Sequence, residues 1–393
     1  MIRTPYRTWL EFTGWLLCLL GWLYFLQGQL QWWQPGVLWV MFMVLFFLTQ
    51  RLRFDAGAIP FVAVLVLLGW LFLTRLDPNW ATTQTHGALL SGLGYLCGVF
   101  LGSTKRLRQP YLWAGAALGL VAITAIFGTS VGGARAWLTI LGFRFQPVEL
   151  ARICLIPYLA SYFTDHRSPW EVGVVLGALF LMLAWQRDLG PALLMFAVFC
   201  WMSLFAHFTW SKLLAYGGVT FIGFGFAYHW FPHLQSRVQA WLAPWDYLDS
   251  KGYQVLQGLF ALQSGGLVGQ GLGGGMARVI PNVHTDYLFA ILGEEFGLLG
   301  TFSLFLLYLS LAFWALRLLH AVEEPYEQML GLGLTLLLHF QVFLVVGGIL
   351  RLVPLTGMTL PFVSYGSTSL VAQMIMLGMV VGLGGRRGDG SGA

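Results

Sequence analysis

Apolar runs long enough to cross a bilayer follow one another along this chain from residue 8 to residue 385. A helix needs about 20 mostly apolar residues to span the hydrocarbon core. By that measure the sequence predicts spans near 8–27, 35–50, 57–75, 87–103, 110–128, 150–164, 171–186, 190–208, 211–231, 286–319, 328–350 and 367–385. The 35–50 run is short, and the 286–319 run is long enough to tilt strongly or project from the bilayer. Only 9% of the 393 residues are charged and 58% are hydrophobic, whereas soluble domains carry about 25% charged residues. The fold class is therefore an all-α polytopic integral membrane protein with one membrane domain. The formal charge of +5 reflects topology and gives no reason to expect nucleic acid. Cys18, Cys97, Cys154 and Cys200 sit in apolar runs at unrelated spacings, with neither a disulfide framework nor a CxxC metal pair. The first run ends in "YFLQGQLQWWQ" and lacks a small-residue cleavage pattern, so it reads as a retained helix.

Orientation follows from Lys and Arg in the short loops. With the N-terminus inside, the "TKRLR" and terminal "GRR" clusters fall inside, and both termini are cytoplasmic. The outer basic residues, Arg135, Arg144, Arg152, Arg187, Arg237, Lys251, Arg278 and Arg351 among them, are scattered singly through loops rich in Gly and Pro. Bulk topology does not explain them, which makes them candidates for anion binding. Three outer loops stand out: 129–149, 232–285 and 351–366. The second suggests a short amphipathic helix followed by a glycine-rich flexible turn. Irregular backbone at membrane depth is tolerated only when buried in protein or lining a wet cavity, so the three loops are expected to be re-entrant and could enclose one site. "GLVGQGLGGG" (266–275) has no strand before it, so it does not read as a nucleotide loop.

"PNVHTDYLFAILGEEFG" (281–297) places Asp286 at the head of an apolar run. In the first turn of a helix beginning near Thr285, Asp286 is either a cap facing the helix dipole or a catalytic base or ion ligand. Glu294 and Glu295 read as polar links between helices. His284 reads as a hydrogen-bonding partner or an aid to proton transfer. In 129–152, Arg135 and Arg144 lack a local acidic partner and could meet a diphosphate, which arginine binds in bidentate fashion. Trp137 could stack on a sugar or anchor at the interface. Glu149 and Arg152 are spaced to pair on a helix, and Arg187–Asp188 could be a solvated cap.

Five stretches, "FRFQPVELAR", "QRDLGPALL", "GYQVLQGLFALQSGGLVGQGLG", "HTDYLFAILGEEFGLLG" and "VPLTGMTLPFVSYGSTSL", occur in one order. From about residue 57 onward the chain resembles the SEDS family, whose members include RodA, FtsW and SpoVE. The two spans before it form an N-terminal extension over 1–56, which tilts the resemblance toward the RodA branch. Residues 57–385 make the core and 386–393 a cytoplasmic tail. The resemblance implies a ten-helix glycosyltransferase of the bacterial cytoplasmic membrane that polymerises lipid II at the outer face, for elongation or division. It also implies a class B penicillin-binding protein as partner. On this chain the family's essential aspartate falls on Asp286, its "QPSE" glutamate on Glu149, and its aspartate before Leu-Gly on Asp188. Its last conserved loop falls on Pro361, Ser364, Tyr365 and Gly366. Three positions depart from the pattern: Val148 replaces a serine, Ser367 a glycine, and Ala136 the arginine before the loop tryptophan.

Such an enzyme must position two substrates, deprotonate an acceptor hydroxyl and stabilise a departing diphosphate. Asp286 is the expected base, with Arg135, Arg144 and Arg351 near the diphosphate. A divalent cation, Mg2+ or Mn2+, could share that charge, although the sequence offers no decisive ligand set. A lipid II transporter and a non-catalytic scaffold of the cell-wall machinery are the alternatives.

Overall fold

The computed structural model describes residues 33–385 except 141, 166 and 167. The span expected at 8–27 and the tail at 386–393 lie outside the described residues. The described helices are α1 (Trp33–Arg51), α2 (Ile59–Leu76), α3 (Pro78–Gly102), α4 (Pro110–Phe127), α5 (Val148–Thr164), α6 (Pro169–Trp185), α7 (Leu189–Ala206) and α8 (Trp210–Trp230), then α9 (Pro232–Leu242), α10 (Tyr253–Gly265), α11 (Leu288–His320), α12 (Pro325–Ile349) and α13 (Ser367–Leu383). Proline punctuates the chain as its chemistry requires. Pro78, Pro110, Pro169, Pro232 and Pro325 each open a helix, where a missing N–H costs nothing.

The lipid-facing rim and the core separate cleanly. Leu181 on α6 and Phe221 and Ile222 on α8 are among the most exposed apolar side chains, and such a surface suits acyl chains rather than water. The core runs through α2, α3, α5, α12 and α13. At its centre α3 and α13 approach until their backbones touch. A Cβ on Gly98 would lie 2.2 Å from the Ile375 carbonyl, and one on Gly378 would lie 2.1 Å from that of Tyr95. Without a hydrophobic drive between helices in lipid, this close small-residue packing is what joins them. The extension helix α1 docks through a buried amide: Gln34 accepts from Trp70 Nε1 at 2.9 Å and donates to Thr82 at 3.0 Å.

The structure corrects several expectations. The helix expected from 87 starts at Pro78, capped by Asp77, which accepts from the Asn79 N–H at 2.8 Å. Its polar first turns had masked it, and they serve as fastening points rather than lipid-facing surface. The 129–149 loop is more ordered than expected. It folds as a three-stranded antiparallel ribbon, β1 (Thr129–Val131), β2 (Ala134–Ile140) and β3 (Phe143–Phe145), with an exposed β1–β2 turn. By contrast, 358–364 is buried irregular backbone, and side-chain amides satisfy it. Phe362 N–H donates to Gln373 at 2.7 Å, Thr359 O accepts from Gln341 at 2.9 Å, and Gly366 N–H donates to Gln84 at 3.1 Å.

The long 286–319 run is two helices joined at a break. Gly297 adopts φ 65°, ψ −163° inside α11. The broken turn frees carbonyls and N–H groups that the glycine-rich segment after α10 takes up. Gln270 and Gly271 N–H donate to the Glu294 and Glu295 carbonyls at 3.0 Å each. Leu298 and Leu299 N–H in turn donate to the Gly266 and Leu267 carbonyls at 2.9 and 3.1 Å. The two glutamates complete the clasp as polar links: Glu294 accepts from Met276 N–H and Glu295 from Gly273 N–H, both at 3.0 Å, while Arg75 of α2 forms an ion pair with Glu295. The segment 266–275, expected to be a flexible turn, is thus held along its length.

A side chain at 297 has no room, because its Cβ would lie 2.4 Å from the Gly269 nitrogen. Gly297→Ala is expected to cost about 1–3 kcal/mol or more from the left-handed backbone alone. It should lower the thermal midpoint of the detergent-solubilised protein and open 266–285 to limited proteolysis. A variant as stable and as protease-resistant as the parent would show that the clasp does not depend on this glycine.

Candidate active site around Asp286

The clasp delivers the chain to a tight turn just before α11. Asn282 takes a positive φ of 51°, which asparagine tolerates better than most residues, and Thr285 N–H closes the turn onto the Asn282 carbonyl at 3.1 Å. Gln254 of α10 ties down the Pro281 carbonyl at 2.9 Å. Asp286 therefore precedes the helix, which begins at Leu288. Its carboxylate caps no helical N–H; its hydrogen-bonding neighbour is the Thr285 hydroxyl at 3.0 Å.

Asp286 is buried in the wall of a cavity of about 250 Å3, bounded by α9, α10, the end of α12 and the exposed β1–β2 turn at Gly132. It is the one carboxylate of that wall, facing Arg237, Lys251 and Arg351. Arg237 donates to the Thr356 carbonyl at 2.8 Å. Arg351 caps the C-terminal end of α9, donating to the Trp241 carbonyl at 2.7 and 3.0 Å, while Trp241 Nε1 donates back to the Arg351 carbonyl at 2.8 Å. Neutral carbonyls fix these cations without cancelling their charge. Burial pushes the Asp286 carboxyl up to about 6, against the opposing pull of Thr285, its own backbone N–H and Arg237.

A second acidic group stands behind the first. Asp188, between α6 and α7, is also pushed up to about 6 by burial; Arg152, Arg237 and a Gln146 hydrogen bond oppose that rise, and Glu149 adds to it. Arg237 thus interacts with both Asp286 and Asp188. Deeper still, Glu149 and Arg152 form the expected buried ion pair, with Ser369 donating to Glu149 at 3.4 Å and Arg152 to Gln341 at 3.4 Å.

His284 stacks on Trp80 of α3, ring centroids 3.9 Å apart, and meets the edge of Tyr365 at 5.6 Å. Its carbonyl accepts from the Tyr365 N–H at 2.9 Å. Ser364 accepts from the Leu360 N–H at 3.1 Å and so pins its own turn. Ser367 lies over Gly87, where a Cβ would come within 2.4 Å of its hydroxyl, so a missing side chain on α3 makes room for the one added here. Arg135 is drawn away from the carboxylate: it donates to the Gly128 and Ile126 carbonyls at 2.7 and 2.9 Å and closes the end of α4. Arg144 and Trp137 stay on the ribbon, Arg144 exposed and Trp137 half-buried. Arg237 and Lys251 are the lining cations that the sequence reading placed only in its roster of outer charges. For Arg237 the signal was a basic residue without a local acidic partner in the longest loop; Lys251, with Asp249 two residues before it, gave none.

Among the described residues no three His, Cys, Asp or Glu side chains converge as a metal site. With one carboxylate among three cations, the protein groups of this cavity do not by themselves fit Mg2+ or Mn2+, which favour several oxygen ligands.

The FtsW/RodA/SpoVE family profile, described as "Cell cycle protein", matches residues 43–386. The peptidoglycan glycosyltransferase RodA of Mycobacterium tuberculosis is 32% identical over 364 residues, covering 83% of this chain and 77% of that protein. The chain belongs to the FtsW/RodA/SpoVE family. A probable peptidoglycan glycosyltransferase FtsW of Geobacter metallireducens is 33% identical over 282 residues, covering 68% of this chain and 74% of its own. A chain from a solved peptidoglycan synthase complex, the subject of work on the coordination of polymerization and crosslinking, superposes with a TM-score of 0.73 at 29% identity. That superposition covers 85% of this chain and 98% of the other. The rod-shape-determining protein RodA of Thermus thermophilus gives 0.62 at 26% identity with the same coverage. This FtsW/RodA/SpoVE member is a multi-pass membrane protein, and ten of its described helices from α2 onward have 17 or more residues.

A carboxyl raised from 3.8 to about 6 has a definite effect on stability. The folded state disfavours the ionised form, so stability is greatest below the unfolded value and declines as pH rises through about 6. Asp286→Asn removes that burden. The variant should be at least as stable as the parent at pH 7.5, by an amount on the order of 3 kcal/mol, with the difference vanishing near pH 4. Thermal melts of both proteins across that range test this, and a less stable variant at pH 7.5 would overturn it.

Proposed function

We propose that this protein is a peptidoglycan glycosyltransferase that polymerises lipid II, with Asp286 as its general base. The observation carrying this reading is a buried carboxylate, raised to about 6, in a cavity whose other charged walls are Arg237, Lys251 and Arg351. The acceptor's 4-hydroxyl gives its proton to Asp286 while its oxygen bonds to the donor's anomeric carbon. The bond from that carbon to the diphosphate breaks, and the electron pair leaves with undecaprenyl diphosphate. Asp286 is poised near the operating pH, where a base combines availability with driving force. The cations face the charge that develops on the leaving group.

Arg237 supports this assignment by opposing protonation of Asp286. Glu149, Arg152 and Asp188 hold the inner polar layer, whereas His284 and Tyr365 fasten the turn that carries Asp286 and Ser364 pins the turn before Tyr365. The cavity then lies on the outer face of the bacterial cytoplasmic membrane, with both termini cytoplasmic, a reading supported by the clustered basic residues of the opposite side, "TKRLR" among them. The resemblance to a chain of a peptidoglycan synthase complex supports a class B penicillin-binding protein as partner.

The test is glycan-strand synthesis from purified lipid II by the protein co-purified with its cognate penicillin-binding protein, the transpeptidase blocked. Wild type should make polymer, and folded, partner-bound Asp286→Asn should make none. Equal polymer from both would remove Asp286 from catalysis. No polymer from either would favour a transporter, and intact complexes without either activity would favour a scaffold. Because the base must be ionised, kcat/KM should fall about tenfold per pH unit below about 6. In Arg237→Gln that limb should move to higher pH, since the lost cation had lowered the Asp286 value. A limb unmoved by the substitution would separate Arg237 from the base.

A further inference from the structure

A second cavity, of about 400 Å3, lies where the outer ends of α6 and α8 meet the start of α9. Its walls are aromatic and cationic: Trp185, Trp230 and Phe231 with Arg187 and His233. Trp185 and Trp230 are largely exposed, so the cavity opens toward the lipid-facing surface of α6 and α8. Three features leave its polar groups open to a ligand, although Arg187 is itself exposed. The Arg187 guanidinium makes no hydrogen bond or ion pair among the described residues. His233 Nε2 is buried without a partner. Arg187, two residues past the end of α6, has φ 60°, its N–H closing onto the Ala184 carbonyl at 3.0 Å. That left-handed position at a helix end is one glycine fills without strain, and an arginine is retained there at a cost of about 1 kcal/mol.

The cavity is connected to Asp286 by charge. His233 and Arg237 are four residues apart on α9, about 6 Å along its axis and on one face. His233 experiences both Arg187 and Arg237, which with burial hold its ring below the usual histidine range, and Arg237 in turn faces Asp286. A row of cationic and polar groups therefore runs from the membrane-facing cavity to the carboxylate.

We propose that this cavity binds the diphosphate of a second polyprenyl-linked substrate, the acceptor. The proposal rests on the polymerase reading, in which every cycle engages two lipid diphosphates at once. When an acceptor hydroxyl lies at Asp286, its own diphosphate lies at the far end of the disaccharide, with its lipid tail leaving into the bilayer. Arg187 offers a planar fork for phosphate oxygens, and the tryptophans offer apolar faces for the first tail units or the sugar.

Native mass spectrometry of the full-length protein with undecaprenyl diphosphate counts bound lipids without requiring turnover. Wild type and Asp286→Asn should each bind two, and Arg187→Gly should bind one. Glycine suits the backbone at 187, so this variant should melt no lower than the parent, and Arg187→Gln tests the side chain with the strain retained. In polymerisation assays both substitutions should raise the half-saturating lipid II concentration about tenfold, the scale of one charge-assisted hydrogen bond. A wild type binding one lipid, unchanged stoichiometry in both Arg187 variants, or displacement of the second lipid by phosphatidylglycerol would each overturn the proposal. Loss of one bound lipid on Arg187 substitution, in a protein that makes no polymer, would leave the site standing and sink the polymerase reading alone.

Discussion

The site rests on a broken helix. Backbone N–H and C=O groups cannot be left unpaired in an apolar setting, so the break at Gly297 is possible only because the glycine-rich segment repairs it from outside. The repair is reciprocal, with donors running both ways between 266–271 and 294–299. Glu294 and Glu295 extend it through their carboxylates, and Arg75 balances one of those charges from α2. The 266–285 segment is thereby anchored at one end, and it reaches Asp286 at the other. A straight helix from 286 onward would need none of these contacts and would leave the glycine loop with nothing to bind.

That dependence explains what the sequence reading could and could not reach. The apolar runs were legible because span length is a local property, and every expected span within the described residues has its helix. The amphipathic helix of the long loop was legible for the same reason and became α10. The break at Gly297 was not, because one glycine in an apolar run resembles a tolerated packing position until the partner loop is known. The start of α3 was hidden by Thr82, Thr83, Gln84 and Thr85. Their polarity argues against lipid but says nothing against burial between helices, where Gln84 fastens Gly366. For the site, motif order pointed to Asp286, Glu149 and Asp188, and the fold draws them into one charged layer. The cations were harder to place. Arg135 lacks a nearby acid in sequence because its partners are carbonyls, and Arg237 comes to face Asp286 only through the course of α9.

Arg237 is where the electrostatics converge. Two buried carboxyls, Asp286 and Asp188, each rise to about 6 through burial, and this guanidinium helps to pull back both, behind Thr285 and a backbone N–H at Asp286 and behind Arg152 at Asp188. Without a counter-charge a buried carboxyl moves further toward neutrality; with a full ion pair it would stay ionised and lose basicity. A cation shared between two acids, and held in place by the Thr356 carbonyl, gives an intermediate result. Both groups sit where a modest change in nearby charge alters their protonation. A diphosphate arriving beside Arg237 would draw on the same positive charge and raise the proton affinity of Asp286 at the moment an acceptor hydroxyl must lose its proton. In the proposed mechanism the strength of the base is then coupled to the presence of the leaving group, and this coupling follows from the placement of one arginine on a short helix rather than from any property of the aspartate itself.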